Sequence, residues 1–230
     1  MKVSIITACY NSARTIEQTI TSVASQSYPS IEHIIVDGGS TDETLSIVER
    51  NRQHIAVVIS EPDEGIYDAF NKGVRAATGD IVYFLNSDDY LYEDAAIEKA
   101  VETFRLADRP LVAVYGNVLR INEHNGYAYL AGQEITLDLL SKGMKPLHQA
   151  FFVRRDVQLK YPFEQQYRIS SDYDFMIKVF KDYPGQTKYF NDIVAVFRYG
   201  GASQNLSGML RTRGETIEVL SRHFEAYSVK

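Results

Sequence analysis

The 230-residue chain has no tryptophan and a single cysteine, Cys9. One thiol excludes an internal disulfide, so a disulfide framework cannot hold this fold together. No apolar run approaches the ~20 residues needed to span a bilayer. The opening Met1-Lys2-Val3-Ser4-Ile5-Ile6 carries one positive charge and no long apolar segment after it. It does not read as a signal peptide. The expectation is a cytoplasmic protein, with peripheral contact at the inner membrane face through an amphipathic helix left open. Positive charge is also short. There are 24 Lys and Arg against 30 Asp and Glu, for a net charge of −6. That balance argues against nucleic acid as a bulk electrostatic partner. No repeat at a fixed period and no low-complexity segment is present.

What is there is an ordinary globular composition, 45% hydrophobic and 23% charged, long enough for one large domain or two fused lobes. Sixteen tyrosines suit a polar, hydrogen-bonding cleft. The most informative stretch is Asp80 to Asp89. Ile81 to Leu85 are five consecutive apolar residues, the pattern of a strand buried on both faces. Asn86, Ser87, Asp88 and Asp89 then crowd oxygen-bearing side chains onto its carboxyl end, the edge where open α/β sheets bind ligands. Two adjacent carboxylates repel, and a hard cation such as Mg²⁺ or Mn²⁺ relieves the repulsion. The competing reading is a solvated acidic turn, or a helix N-cap ahead of Glu93 and Asp94.

Before this stretch, strands and helices alternate. Val3–Ala8 reads as a first buried strand, and Ser12 is placed to cap the next helix, whose core face is Ile16, Ile20, Val23 and Ala24. Ile31–Val36 is a second strand, stopped by Asp37-Gly38-Gly39-Ser40-Thr41-Asp42. Ser40, Thr41 or Asp42 caps the helix through Leu45 and Val48. Asp37 is either a ligand-edge carboxylate or a turn former. Ile55–Ile59 is a third strand. A helix with core face Ile66, Ala69, Phe70, Gly73, Val74 and Ala77 follows, leaving Asp68, Lys72 and Arg75 on its other face. Lys72 and Arg75 either reach an anionic ligand or stay on a solvated face. Ile97, Ala100, Val101 and Phe104 mark one more helix. The alternation implies a parallel sheet with right-handed crossovers.

Past Leu111 the pattern is weaker. Leu111–Val118 reads as a strand, and Asn122 to Gly126 as a turn into Tyr127–Leu130, a hairpin. Thr136 caps a short helix over Leu137–Leu140. Pro146 to Val153 reads as a further strand containing His148 and Gln149. On local grounds, His148 is a hydrogen-bonded core residue. Phe175, Met176, Val179, Phe180 and Tyr183 give a helical face, with Asp172 and Asp174 at its start as N-cap or first-turn acids. Ile193–Phe197 is a last strand. Leu206, Met209, Leu210, Ile217, Leu220 and Phe224 make a final amphipathic helix that packs on the domain or on a partner subunit.

Three motifs together resemble family 2 glycosyltransferases of the GT-A fold. They are Ile5-Ile6-Thr7-Ala8-Cys9-Tyr10-Asn11, Ile34-Ile35-Val36-Asp37-Gly38-Gly39-Ser40-Thr41-Asp42, and Ala77-Thr78-Gly79-Asp80 running on to Asp89. The segment Ser60 to Gly73 is similar to the bacterial polysaccharide-assembly (colanic acid or exopolysaccharide) branch. The resemblance implies an α/β fold, a Rossmann-like, mainly parallel central sheet flanked by helices with a smaller acceptor-side sheet. It implies one continuous domain, with residues 1–115 binding the donor and 116–230 carrying the acceptor site and base. Thr7, Ala8, Tyr10, Asn11, Asp37, Asp63, Lys72 and Asp88 would line the donor site. Asp89 would ligate Mn²⁺ or Mg²⁺. Asp172 would be the catalytic base, with Asp174 as a support or as the base itself. His148 and Gln149 would flank the acceptor. The stretch Arg198 to Ser203 is similar to a loop of this branch in which Gly200, Gly201 and Ser203 close over the donor diphosphate. Two positions depart from the pattern: Gly38 where many members carry a second carboxylate, and Phe70 where many carry Arg.

The function so implied is inverting, metal-dependent transfer of a sugar from a nucleotide-diphosphate sugar, a UDP-sugar, to a glycan hydroxyl. The implied setting is surface polysaccharide or lipopolysaccharide biosynthesis, on a polyprenyl-diphosphate-linked acceptor. No Ser-His-Asp or Cys-His constellation suggests a covalent nucleophile. Two rivals stand beside it. One is a sugar-phosphate nucleotidyltransferase, which also builds a metal site on a nucleotide-binding sheet. The other is a degenerate nucleotide-sugar binding module.

Overall fold

The computed structural model describes residues 1–123, 125–144, 146–199 and 206–225. The first strand, β1 (Val3–Cys9), is buried at all seven positions. That explains why it shows no polar alternation. It pairs in parallel with β2 (Ile31–Asp37) on one side and β4 (Ile81–Phe84) on the other, and β2 pairs with β3 (Val57–Ser60). The crossovers are α1 (Ile16–Ala24), α2 (Thr44–Arg50) and α3 (Ile66–Ala76). α3 lies directly on β1. A Cβ added at Gly73 would stand 2.4 Å from Ile6 Cγ2, so only glycine allows that approach.

The sheet then changes character. β8 (Phe151–Arg154) runs antiparallel to β4 and to β6 (Ala113–Asn122), and β6 runs parallel to β9 (Thr187–Arg198). β7 (Tyr127–Ala131) closes the expected hairpin on β6, and β5 (Tyr90–Leu91) pairs with β9. The path is β3-β2-β1-β4-β8-β6-β9-β5, with β7 off β6. The smaller acceptor-side sheet is therefore the outer end of one nine-stranded sheet. It is set off by register shifts between Tyr115 and Val118 of β6. Helices α4 (Ala96–Arg105), α6 (Arg155–Lys160), α7 (Ser171–Asp182) and α8 (Leu206–His223) flank the sheet, and α5 (Leu137–Ser141) packs on α7. Two large clusters of buried side chains carry the core. One gathers Ile6, Val36, Phe70 and Phe84 with Phe163 and Phe175, the other Ile5 and Tyr83 with Ile97 and Phe152.

Several local expectations need correction. Ser12 does not cap α1, which starts four residues later. Its carbonyl accepts from the Thr15 and Ile16 amides, and its hydroxyl lies 2.8 Å from Ser87 Oγ. Asp88 and Asp89 do not cap a helix either, because β5 intervenes and α4 begins at Ala96. Pro146 to Val153 is not one strand. His148–Ala150 form a 3-10 turn, and the strand begins at Phe151. β9 reaches back to Thr187, since its polar first half hides the period of a strand. α6 and β5 were too short to show any period. Thr136 does cap α5, accepting from the Leu139 amide at 3.2 Å.

Candidate active site

The carboxyl ends of β1, β2 and β4 meet at one edge, with the N-terminus of α7 and the His148–Ala150 turn facing them. Asp89 lies at the floor and is fully buried. Its Oδ1 accepts from the Arg198 amide at 3.3 Å and its Oδ2 from Asn86 Nδ2 at 3.2 Å. Burial pushes the Asp89 carboxyl well above its ordinary value, and the charge of Asp88 adds to the rise. Burial raises Asp88 as well, against the pull of His148 and Arg198. Thr19 Oγ1 fixes the turn from beneath, 3.0 Å from Ser87 O and 2.7 Å from Asp89 O.

Asn86 links this corner to the other side of the cleft. Its Nδ2 is also 3.2 Å from His148 Nε2. His148 Nδ1 is 3.2 Å from Asp172 Oδ2. The tautomer that satisfies both contacts has Nδ1–H donating to Asp172 and Nε2 accepting from Asn86. The Tyr67 hydroxyl approaches Asp172 Oδ1 at 3.2 Å and donates to Ile169 O at 2.6 Å. Asp172, in the first turn of α7, also accepts from the Tyr173 amide at 2.8 Å. One hydrogen-bonded run thus joins Asp172, His148, Asn86 and Asp89, which are scattered over 86 positions of sequence.

The residues here fit a hard divalent cation. Two neighbouring carboxylates are destabilised by burial, and Asn86 Oδ1 is buried with no hydrogen-bond partner. Among the described residues, no three His, Cys, Asp or Glu side chains converge on one point. Such an ion would draw its other ligands from water or substrate oxygens, as Mg²⁺ and Mn²⁺ commonly do.

The remaining expected residues fall into three groups. Tyr10 and Asn11 are exposed at the rim, and Asn11 takes a left-handed φ of 49°. Its Oδ1 accepts from the Thr41 amide at 2.9 Å, tying two loops together. Asp37 is fully buried. Its oxygens accept from the Gly39 and Ser40 amides and from the Ser40 and Ser60 hydroxyls, so it organises the loop after β2. Asp63 Oδ1 accepts from the Gly65 amide at 2.9 Å.

The second group points elsewhere. Thr7 directs its hydroxyl 3.0 Å from His33 Nε2, inside the sheet, and Ala8 is buried. Lys72 is 2.9 Å from Glu61 and 3.2 Å from Asp68. Gln149 is buried against Asp89. Asp174 is 1% exposed and turned towards α8, 2.7 Å from both Lys178 Nζ and His223 Nε2. Burial opposes its charge, but these hydrogen bonds win and hold the carboxyl below its ordinary value. Gly200, Gly201 and Ser203 form the third group; they lie outside the described residues.

Both departures from the motif pattern have a structural reason. A Cβ at Gly38 would stand 2.5 Å from Asp63 Oδ2, so the Asp63 carboxylate fills the place of a side chain at 38. Phe70 is 2% exposed, with its ring 4.6 Å from Phe84 and 6.5 Å from His148. It backs the histidine from the core. Sequence reasoning missed Tyr67 and Arg198. Arg198 Nη1 donates to Asp88 O at 2.7 Å, and its guanidinium lies 4.7 Å from the centre of the Tyr90 ring. Neither residue sits in a period or spacing that singles it out. A cavity of about 220 Å³ lies between the first half of β6 and the loops that follow β7 and precede His148, with Tyr115, Ile135, Met144, Pro146 and Leu147 in its wall.

Comparison with known proteins agrees with this geometry. A "PGL/p-HBAD biosynthesis glycosyltransferase" of Mycobacterium tuberculosis is 34% identical over 208 residues, covering 88% of this chain and 79% of the relative. An uncharacterised glycosyltransferase of Nostoc sp. is 28% identical over 225 residues, covering 92% of this chain and 69% of that one. Among solved structures, S. aureus TarS 1-349 superposes with a TM-score of 0.75 at 21% identity, over 97% of this chain and 65% of the staphylococcal one. This chain thus spans slightly less than two thirds of that protein's solved length. The glucosyl-3-phosphoglycerate synthase of M. tuberculosis, solved with Mn²⁺, UDP and phosphoglyceric acid, gives 0.71 at 19% identity, over 96% and 78% of the two chains. At such identities the likeness shows the fold, and it is the GT-A fold implied by the motifs. Residues 4–172, from β1 to the first turn of α7, match glycosyl transferase family 2, and with that span the chain belongs to this family.

Proposed function

We propose that the chain transfers a sugar from a UDP-sugar to a hydroxyl of a glycan acceptor, with inversion and with a divalent cation bound. The observation that carries this reading is the run from Asp172 through His148 and Asn86 to Asp89. It holds a carboxylate in one wall of the cleft and a cation-suited acidic corner at its floor.

Residues 1–115 would bind the donor. Tyr10, Asn11, Asp37 and Asp63 would line the place of the base, with Asp88 near the ribose; Lys72, paired with Glu61 and Asp68, would act only through the loop it holds. Asp89 would hold Mn²⁺ or Mg²⁺, which when bound supplies positive charge against the leaving diphosphate. Residues 116–230 would bind the acceptor. Asp172 takes the proton from the acceptor hydroxyl. The oxygen bonds to the anomeric carbon as the bond to the diphosphate oxygen breaks, and the electron pair leaves on UDP. A single displacement inverts the anomeric centre. His148 Nδ1–H holds the Asp172 carboxylate in line, with the Tyr67 hydroxyl packed 3.2 Å from its other oxygen.

Several findings support the donor class. TarS was solved with UDP-GlcNAc and the mycobacterial synthase with UDP and Mn²⁺, although a mannosyltransferase of Pyrobaculum calidifontis on the same fold was solved with GDP-mannose and Mn²⁺. The family match weighs against a nucleotidyltransferase. For the acceptor we favour a polyprenyl-diphosphate-linked glycan at the inner membrane face, in surface-polysaccharide assembly. Among the described residues, no helix is long and apolar enough to cross a membrane.

The test is calorimetric titration of UDP and GDP, each with and without Mn²⁺, into wild type and Asp89→Ala. Metal-dependent UDP binding that the substitution abolishes is the expected result. GDP binding in its place would overturn the donor class. UDP binding with no turnover of any UDP-sugar would leave a binding module.

A further inference from the structure

The turn that delivers Asp172 to the cleft is held from an unexpected direction. Residues 168–170 precede α7, and their three backbone amides find no partner in that helix. The carboxylate of Glu215, from the middle of α8, takes all three. Its Oε1 accepts from the Arg168 amide and its Oε2 from the Ile169 and Ser170 amides, each at 2.9 Å. Three consecutive amides aimed at one carboxylate make a charge-assisted clamp. From the opposite side, Tyr67 donates to Ile169 O at 2.6 Å, and the same hydroxyl approaches Asp172. The turn is therefore gripped between α3 and α8, with Asp172 two residues past its last amide. Glu215 is half-buried and lies beyond the residues that match the family, which end at 172. A second tether joins α8 to α7 at the other end, where His223 Nε2 meets Asp174 at 2.7 Å.

We infer that Glu215 is a positioning residue: it sets the turn at 168–170 and so fixes the place of the Asp172 carboxylate. The inference rests on Asp172 as the base. α8 then does more than cover apolar surface. Its docking is coupled to the geometry of the reacting corner through one side chain. Small displacements of a reacting group can cost as much as 100-fold in rate. Among the described residues, Glu215 itself makes no hydrogen bond to a donor-lining residue; only the Arg168 guanidinium ties the turn to the loop before α3, donating to Glu64 O.

The experiment compares the full-length Glu215→Ala, Glu215→Gln and His223→Gln proteins with wild type. Steady-state kcat and donor KM, calorimetric UDP binding with Mn²⁺, and amide hydrogen exchange at residues 168–170 are measured on each. For Glu215→Ala the expected result is faster exchange at these amides and a kcat about 10- to 100-fold lower, with donor KM and UDP affinity within twofold of wild type. Glu215→Gln keeps one acceptor oxygen and should fall between. His223→Gln loosens the other end of α8 and should leave the three amides protected and kcat within twofold. Unchanged protection or unchanged kcat in Glu215→Ala overturns the inference. So does an equal loss of kcat in His223→Gln, which would mark general undocking of α8. Retained transfer in Asp172→Asn would sink the base assignment instead, while the exchange data still report whether Glu215 grips the turn.

Discussion

Asp172 and Asp174 stand two residues apart on α7, yet they meet opposite surroundings. Two residues turn a helix through about 200°, so one faces the cleft and the other faces α8. On the cleft side, Asp172 is partly open and touches His148 and Tyr67. On the α8 side, Asp174 is closed off and touches Lys178 and His223. The same residue type is a candidate base in one place and a structural anion in the other. What differs is access, and the ammonium of Lys178, which stands beside Asp174 alone.

Substitution should break this comparison cleanly. Asp172→Asn should lower transfer by about 10³-fold, the mid-range for loss of a general base, with UDP·Mn²⁺ affinity unchanged by calorimetry. Asp174→Asn should do the reverse. Removing one partner of a buried ion pair costs about 3 kcal/mol, so Tm should fall by roughly 6–12 °C, with kcat of the folded enzyme within threefold. If Asp174→Asn instead lost transfer at full stability, the roles would have to be exchanged.

Acid sharpens the same contrast. The folded Asp174 carboxyl sits below its ordinary value of 3.8. Its stabilisation is present above pH 3.8 and is lost as pH falls through the lower folded value. Buried His33 adds a separate loss: burial lowers its pKa from 6.5 to about 3, so stability declines as pH falls across that interval. Asp174→Asn should therefore keep the His33 decline in urea titrations and lose the further fall below pH 3.8.

His148→Gln should lower kcat about 10- to 30-fold through loss of the hydrogen bond that orients Asp172, with little change in Tm. The smallest effect is far from the cleft. Burial opposes the Glu32 carboxylate, but hydrogen bonds from Lys2, Ser4 and Thr78 outweigh it and hold the group at about 2. Glu32→Gln should cost about 1–2 kcal/mol in denaturant titration and leave kcat alone.

The two halves of the chain differed in how much could be read from the sequence. Up to Arg105 the elements follow from local pattern, the two-residue β5 apart. β1, β2 and β4 are short runs buried on both faces, and α3 and α4 show one clear apolar stripe each. Beyond Leu111, β6 and β9 are long, partly exposed and irregular in register against each other. β9 was recognised only at its end, and the turn at His148 was mistaken for strand. Asp172 was marked by resemblance, since its local signal is that of any first-turn acid. The separation of Asp172 from Asp174 needed the partners each one meets.

By itself the sequence determined the strand–helix alternation, the acidic edge after β4 and the family motifs. These depend on neighbours within one or two turns of chain, where period and spacing leave a trace. Only the tertiary structure decided which side chains meet. Asn86 reaches His148 across 62 residues, Tyr67 reaches Asp172 across 105, and Glu215 grips the Ile169 amide across 46. Contacts of that range are fixed by the packing of whole elements, and no local pattern records them.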